Sequence, residues 1–125
     1  MDVFINGTPV LTANDWQVGH KADVTAKLVA GENVIALRTQ NADASPAGAI
    51  ARLEITSAKG KQTIVTDTTW KGADKETKDW SKPGFDDAKW AAVQSIGKIG
   101  IEPWGNVFGA TVAAAAGVKD RKSVV

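Results

Sequence analysis

Two adjacent carboxylates, Asp86 and Asp87, lie between aromatic residues in FDDAKW, Phe85 to Trp90. Paired acids carry out glycoside hydrolysis: one protonates the leaving oxygen while the other attacks the sugar or activates water. That chemistry needs the two carboxyl groups to flank the scissile bond, roughly 5–9.5 Å apart. Neighbouring side chains diverge in a strand or a helix, so this pair does not suit both roles. The reading that fits better is structural. Phe85–Trp90 forms one helical turn, a carboxylate caps it, and the turn delivers Trp90 to the core.

The other candidates for chemistry are sparse. His20 is the only histidine, with no nucleophile motif or second metal-binding His beside it, and reads as solvated surface. Asp15, Asp67 and Asp74 have the oxygen chemistry of calcium ligands, but their spacing matches no EF-hand-type loop, so no metal and no cofactor is expected. The chain has no Cys, which excludes disulfides, thiolate catalysis and Cys-based metal sites. No glycines fall in a phosphate-cradling arrangement after a strand. No independent enzymatic activity is expected.

The aromatic residues are more informative. There are five Trp, three Phe and no Tyr. Sugar rings present flat C–H faces that stack on indoles, while nearby Asn, Asp and Lys bind hydroxyls. Trp70 and Trp90 adjoin strands and are expected in the core. Trp104, between Pro103 and Gly105, is expected to seal the end of the domain. Trp16 and Trp80 lie in polar loops and are expected to be exposed. They are the candidate ligand-binding residues, with Asp15 and Asn14 as hydroxyl partners of Trp16.

The elements that must position these residues are short. Asp2–Ile5 is β-prone and runs into Asn6-Gly7, a strong signal for a tight hairpin. Thr8–Leu11 is the return strand, and Pro9 assigns it to an edge or an irregularity. Asp23–Leu28 reads as a short strand ending in a helical turn. Asn33–Thr39 is the clearest strand. In Ala49–Ser57, Ala49, Ala51, Leu53 and Ile55 share one face. A turn at Lys59–Lys61 leads to a strand at Gln62–Thr66. Asp67–Pro83 is an ordered loop around Trp70 and Trp80, and Ala91–Ile96 is a closing strand. Short strands, frequent turn signals and no long amphipathic helix indicate an all-β antiparallel sandwich or barrel.

The bulk numbers agree with this. A chain of 125 residues, 43% hydrophobic and 23% charged, suits one globular domain. A net charge of +1, with no basic stripe interleaved with aromatics, gives no general pull toward nucleic acid. No apolar run reaches the roughly 18 residues of a membrane span, so no membrane insertion is expected. No signal peptide is legible at the N-terminus. The expected organisation is a β-sandwich module over residues 1–105 and a linker or disordered tail over 106–119. The tail 120–125, DRKSVV, continues no pattern and matches the translation of a short-read sequencing adapter in one frame. It is expected to be non-native and is set aside.

Several motifs fall in a characteristic order. FINGTPV precedes DW, then DVTAKLVAGENVIALRTQN, AGAIARLEI, TIVTDTTWK, a Trp separated by four residues from FDDAKW, and PWG. From about Val3 to Gly105 the chain resembles the galactose-binding-like jelly-roll modules of bacterial glycoside hydrolases. These include the N-terminal domains of α-L-rhamnosidases and the sugar-binding domains of the β-galactosidase family. The resemblance implies a non-catalytic jelly-roll β-sandwich belonging to a larger exported protein, periplasmic, cell-surface or secreted. The candidate partners are a polysaccharide or glycan and the neighbouring domains of the parent protein, although the resemblance does not itself imply that the module binds sugar. It also implies an alternative, a packing scaffold with no ligand of its own. The family pattern carries a strand before the position of Phe4, and its loss is expected to leave an exposed edge.

Overall fold

The computed structural model describes residues 1–41 and 48–97, together with the backbone of Val118–Val124. The fold is all-β. Strands β1 (Asp2–Ile5) and β2 (Thr8–Thr12) form a hairpin about Asn6-Gly7. Both turn residues have positive φ, 50° and 81°, as a primed two-residue turn requires. β2 is the sheet edge, and Pro9 pairs with Phe4 where the register shifts. The missing proline N–H therefore falls at an irregular edge, as its chemistry demands.

Strand β3 (Gly31–Arg38) pairs antiparallel with β1. Its residues Asn33–Leu37 are all buried, so both of its faces are covered. This explains its near-continuous apolar run. Strands β4 (Arg52–Ser57) and β5 (Gly60–Val65) form a separate two-stranded sheet. Two-residue strands β6 (Lys71–Gly72) and β7 (Ala91–Ala92) pair with each other at the far edge of the larger sheet. The ladders β1–β2, β1–β3, β4–β5 and β6–β7 are antiparallel.

Between β3 and β6 runs the backbone of β8 (Val118–Val124), parallel to both. A ladder is built from main-chain groups, so a polar segment with no apolar pattern still pairs with an open strand edge. Residues 106–117 lie outside the described residues, as do Trp104 and the PWG motif.

Other expectations are corrected in detail. Only a 3-10 turn, Thr25–Lys27, forms in the Asp23–Leu28 segment, without a strand before it. The turn between β4 and β5 is at Ala58-Lys59. The closing strand after Trp90 is reduced to Ala91–Ala92. Among the described residues no helix is long and apolar enough to cross a membrane.

Two apolar cores flank the larger sheet. Ile5, Ile35 and Leu37 meet Ile55 and Ile64 of the second sheet, with Trp70 completing the cluster. Ala49, Ala51 and Leu53 pack against it, as the alternation in Ala49–Ser57 requires. Each fully buried aliphatic side chain contributes about 1.5–3 kcal/mol, so this layer joins the two sheets into a sandwich. On the opposite face, Val34 and Ala36 carry Trp80, with Phe4, Phe85 and Trp90 around it.

Candidate functional site

The loop after β2 presents Trp16. Its base is fixed by reciprocal bonds: Ala13 N donates to Met1 O at 2.8 Å, and the Met1 amino group donates to Ala13 O at 2.7 Å. Asp15 Oδ1 accepts the Gln17 amide at 2.9 Å, closing a side-chain-mediated turn over Trp16. His20 Nε2 lies 3.3 Å from Asp15 O. Trp16 is 58% exposed, and Val18 beside it is exposed too. Asn14, Asp15 and His20 are also exposed. The expectation of an accessible Trp16 next to Asn14 and Asp15 therefore holds, with Asp15 Oδ1 already engaged by the turn.

Trp80 lies elsewhere, and its expected exposure is corrected. It is only 6% exposed. Phe4 meets it edge-on at 5.5 Å, and Trp90 stacks on it at 6.4 Å with planes 22° apart. Its indole Nε1 donates to Glu76 Oε1 at 3.1 Å, which satisfies the one polar atom that burial would strand. The physical reason is the outer face of β3. Val34 and Ala36 leave an apolar surface there that a large ring covers, and the polar loop folds back to place it. Trp16 belongs to neither apolar cluster, so the two candidate indoles do not line one patch.

The loop uses the same device three times. Trp70 N donates to Asp67 O at 3.2 Å, Trp80 N to Thr77 O at 3.1 Å, and Trp90 N to Asp87 O at 2.9 Å. Each Trp is thus the fourth residue of a tight turn. Asp67 Oδ1 accepts from Thr69 N at 2.9 Å and from the Thr69 hydroxyl. Sequence reading missed this arrangement, although Asp or Thr three residues before each Trp was its visible signal.

FDDAKW belongs to this pattern. Asp86 Oδ1 accepts the Ala88 amide at 3.0 Å. Lys71 Nζ donates to Asp87 Oδ1 at 3.5 Å. The capping role expected of the pair is present, but the turn is not helical. Phe85 packs edge-on against Trp90 at 5.4 Å, and Trp90 is half-buried on Trp80 rather than in the central core. Trp70 is where it was expected, fully buried, with Nε1 donating to Val65 O at 2.9 Å.

Charge organises the rim of the outer layer. Arg38 donates to Asp2 Oδ2 through Nη2 at 2.8 Å and Nε at 3.1 Å, and to Glu76 at 3.3 Å through Nη1. Its guanidinium carbon sits 5.6 Å above the Phe4 ring. The Arg38 and Thr12 hydrogen bonds hold the Asp2 carboxyl below its usual range. Asp23 is lowered likewise by the Thr25 hydroxyl and amide. An open depression of about 440 Å³ lies by β6 and β7, lined by Thr39, Asp74, Ala92, Val93 and their neighbours. It holds one carboxylate and no aromatic ring, so it offers nothing for a sugar face to stack on. Among the described residues no group of three or more His, Asp or Glu is placed to hold a metal ion.

Comparison with known proteins gives one match of note. Over 102 residues, 81% of this chain, the sequence is 39% identical to an alpha-L-rhamnosidase of Streptomyces avermitilis. Those residues make up 10% of that protein, so the chain spans about a tenth of its relative's length. The chain is therefore related to one stretch of a glycoside hydrolase. No protein-family model matches it, and no solved structure does.

Proposed function

We propose that this chain is a non-catalytic accessory module of a larger glycoside hydrolase-type protein, of the galactose-binding-like jelly-roll type. The observation that carries the reading is the 39% identity to a stretch forming one tenth of an alpha-L-rhamnosidase. A segment of that size fits one accessory module of a much longer protein. The adjacent acids support the same reading, because Asp86 and Asp87 are engaged in the turn that seats Trp90. On this reading the module is exported with its parent polypeptide and meets a polysaccharide through the exposed Trp16 ring. Asn14 and Asp15 lie beside that ring to reach hydroxyls, and the contact is weak because one indole supplies it.

Retention of the chain on immobilised polysaccharides, rhamnose-bearing glycans included, tests the binding arm. Retention should fall with Trp16→Ala and remain with Trp80→Phe. No retention of the parent chain on any glycan would defeat it.

A second reading, a scaffold that packs against a catalytic domain without a ligand, is favoured by the burial of Trp80. Trp16 stands apart from the outer aromatic layer of Phe4, Trp80, Phe85 and Trp90, so these rings do not form one stacking patch with it. Joining the chain to the catalytic region of a related rhamnosidase separates the two readings. A scaffold raises the thermal midpoint of that region whether or not Trp16 is present.

A further inference from the structure

Asn6-Gly7 shapes the first hairpin, and it is also the dipeptide whose side-chain amide is most easily lost. With no side chain on Gly7 to hinder it, the Gly7 nitrogen attacks Asn6 Cγ. A C–N bond forms, the amide C–N bond breaks, ammonia leaves, and a succinimide ring results. Water then opens the ring to aspartate or to isoaspartate, with no oxidant or reductant involved. The attacking nitrogen must first give up its proton to base, so the reaction quickens as pH rises.

The fold holds every polar atom of the Asn6 side chain away from that path. Oδ1 accepts the Val34 amide at 2.8 Å. Nδ2 donates to Asn33 Oδ1 at 2.9 Å and to Lys27 O at 3.1 Å. The Asn6 amide donates to Val34 O at 2.9 Å, so the backbone is fixed as well. Lys82 covers Gly7, its Cγ lying 2.7 Å from where a Cβ would stand. To bring Cγ onto the Gly7 nitrogen, the side chain must rotate and give up three hydrogen bonds together.

The product does not fit the same place. A carboxylate has no N–H, so it would set oxygen against Asn33 Oδ1 and Lys27 O. Asn33 is fully buried and uses all four of its hydrogen-bonding positions, on Asn6, Gly31 and both backbone groups of Val29. Loss of one partner there leaves a buried acceptor short of a donor. The isoaspartate product also lengthens the main chain within a two-residue turn, whose length sets the β1–β2 register.

We propose that Asn6 is a deamidation site closed by folding, and that its modification is a one-way exit from the native state. Chains that stay folded keep the amide. Chains that open long enough lose it and do not return to the same structure.

The test uses the full chain, held in mildly alkaline buffer with and without denaturing urea. The free peptide FINGTPV, Phe4 to Val10, serves as reference. Acid formation at position 6 is read by peptide mapping and mass spectrometry. The folded chain should react at least about tenfold more slowly than the urea-unfolded chain, since reaction must pass through local opening. The peptide should match the unfolded chain. Equal rates in the folded and unfolded chains would overturn the gating. For the exit, Asn6→Asp should lower the thermal midpoint by about 4 °C or more, or fail to fold. An Asn6→Asp chain as stable as the parent would overturn that part.

Discussion

Trp90 lies almost flat on Trp80, ring centroids 6.4 Å apart and planes inclined by 22°. The two come from different turns of one polar loop and meet over Val34 and Ala36 of β3. The outer layer of the larger sheet is therefore made of rings. Trp80→Ala should destabilise the chain by about 3–5 kcal/mol, the usual range for emptying a buried aromatic site. Trp90→Ala should cost less, because its ring is half-buried. Urea denaturation of both variants checks the order, and a Trp80→Ala loss no larger than that of Trp90→Ala would contradict this packing.

Trp16 predicts the opposite behaviour. Its ring is 58% exposed and belongs to neither apolar cluster. Trp16→Ala should leave stability within about 0.5 kcal/mol of the parent, as for other surface substitutions. Any effect should appear in glycan retention alone. A stability loss comparable with that of Trp80→Ala would mean that Trp16 packs.

The contrast between these two indoles marks how far the sequence could be read. Features set by neighbours in the chain were legible. Asn6-Gly7 specifies its own turn, and Asn33–Thr39 reads as a strand because it is too short for a typical helix and bounded by turn residues. The alternation of Ala49, Ala51, Leu53 and Ile55 names a core face. Trp16 was legible as an exposed ring because its loop folds on itself through Asp15. Trp80 was not, since its burial depends on a distant strand offering Val34 and Ala36 to cover. Strand β8 carries no sequence signal for a related reason. Its pairing with β3 joins residues far apart in the chain and rests on main-chain bonds that leave no apolar pattern.

Gly7 gives a sharper test of the hairpin. It holds φ at 81°, and an added Cβ would stand 2.7 Å from Lys82 Cγ. Gly7→Ala should cost about 1–3 kcal/mol in backbone strain alone, and more from the overlap. Gly60 also has positive φ, 116°, but open space around it. Gly60→Ala should therefore lose less than Gly7→Ala in thermal denaturation. Adding Lys82→Ala to Gly7→Ala should recover the overlap and leave the conformational loss. Equal losses at the two glycines would rule out the contact with Lys82.

The Asp2–Arg38 pair should give stability that depends on pH in one direction. Hydrogen bonds from Arg38 and Thr12 hold the Asp2 carboxyl below its usual 3.8. A folded-state value below the unfolded one means that the ionised form is favoured by folding. The contribution is fully present above 3.8 and is lost as pH falls through the lowered folded value. Both groups face solvent, with the Arg38 side chain 44% and the Asp2 side chain 26% exposed, so the contribution should be small. Asp2→Asn should therefore be less stable than the parent near neutral pH and level with it in strong acid. The gap should also narrow with added salt. Denaturation of the two chains across the acid range is the measurement, and a gap that stays constant into strong acid would show that Asp2 acts through packing rather than charge.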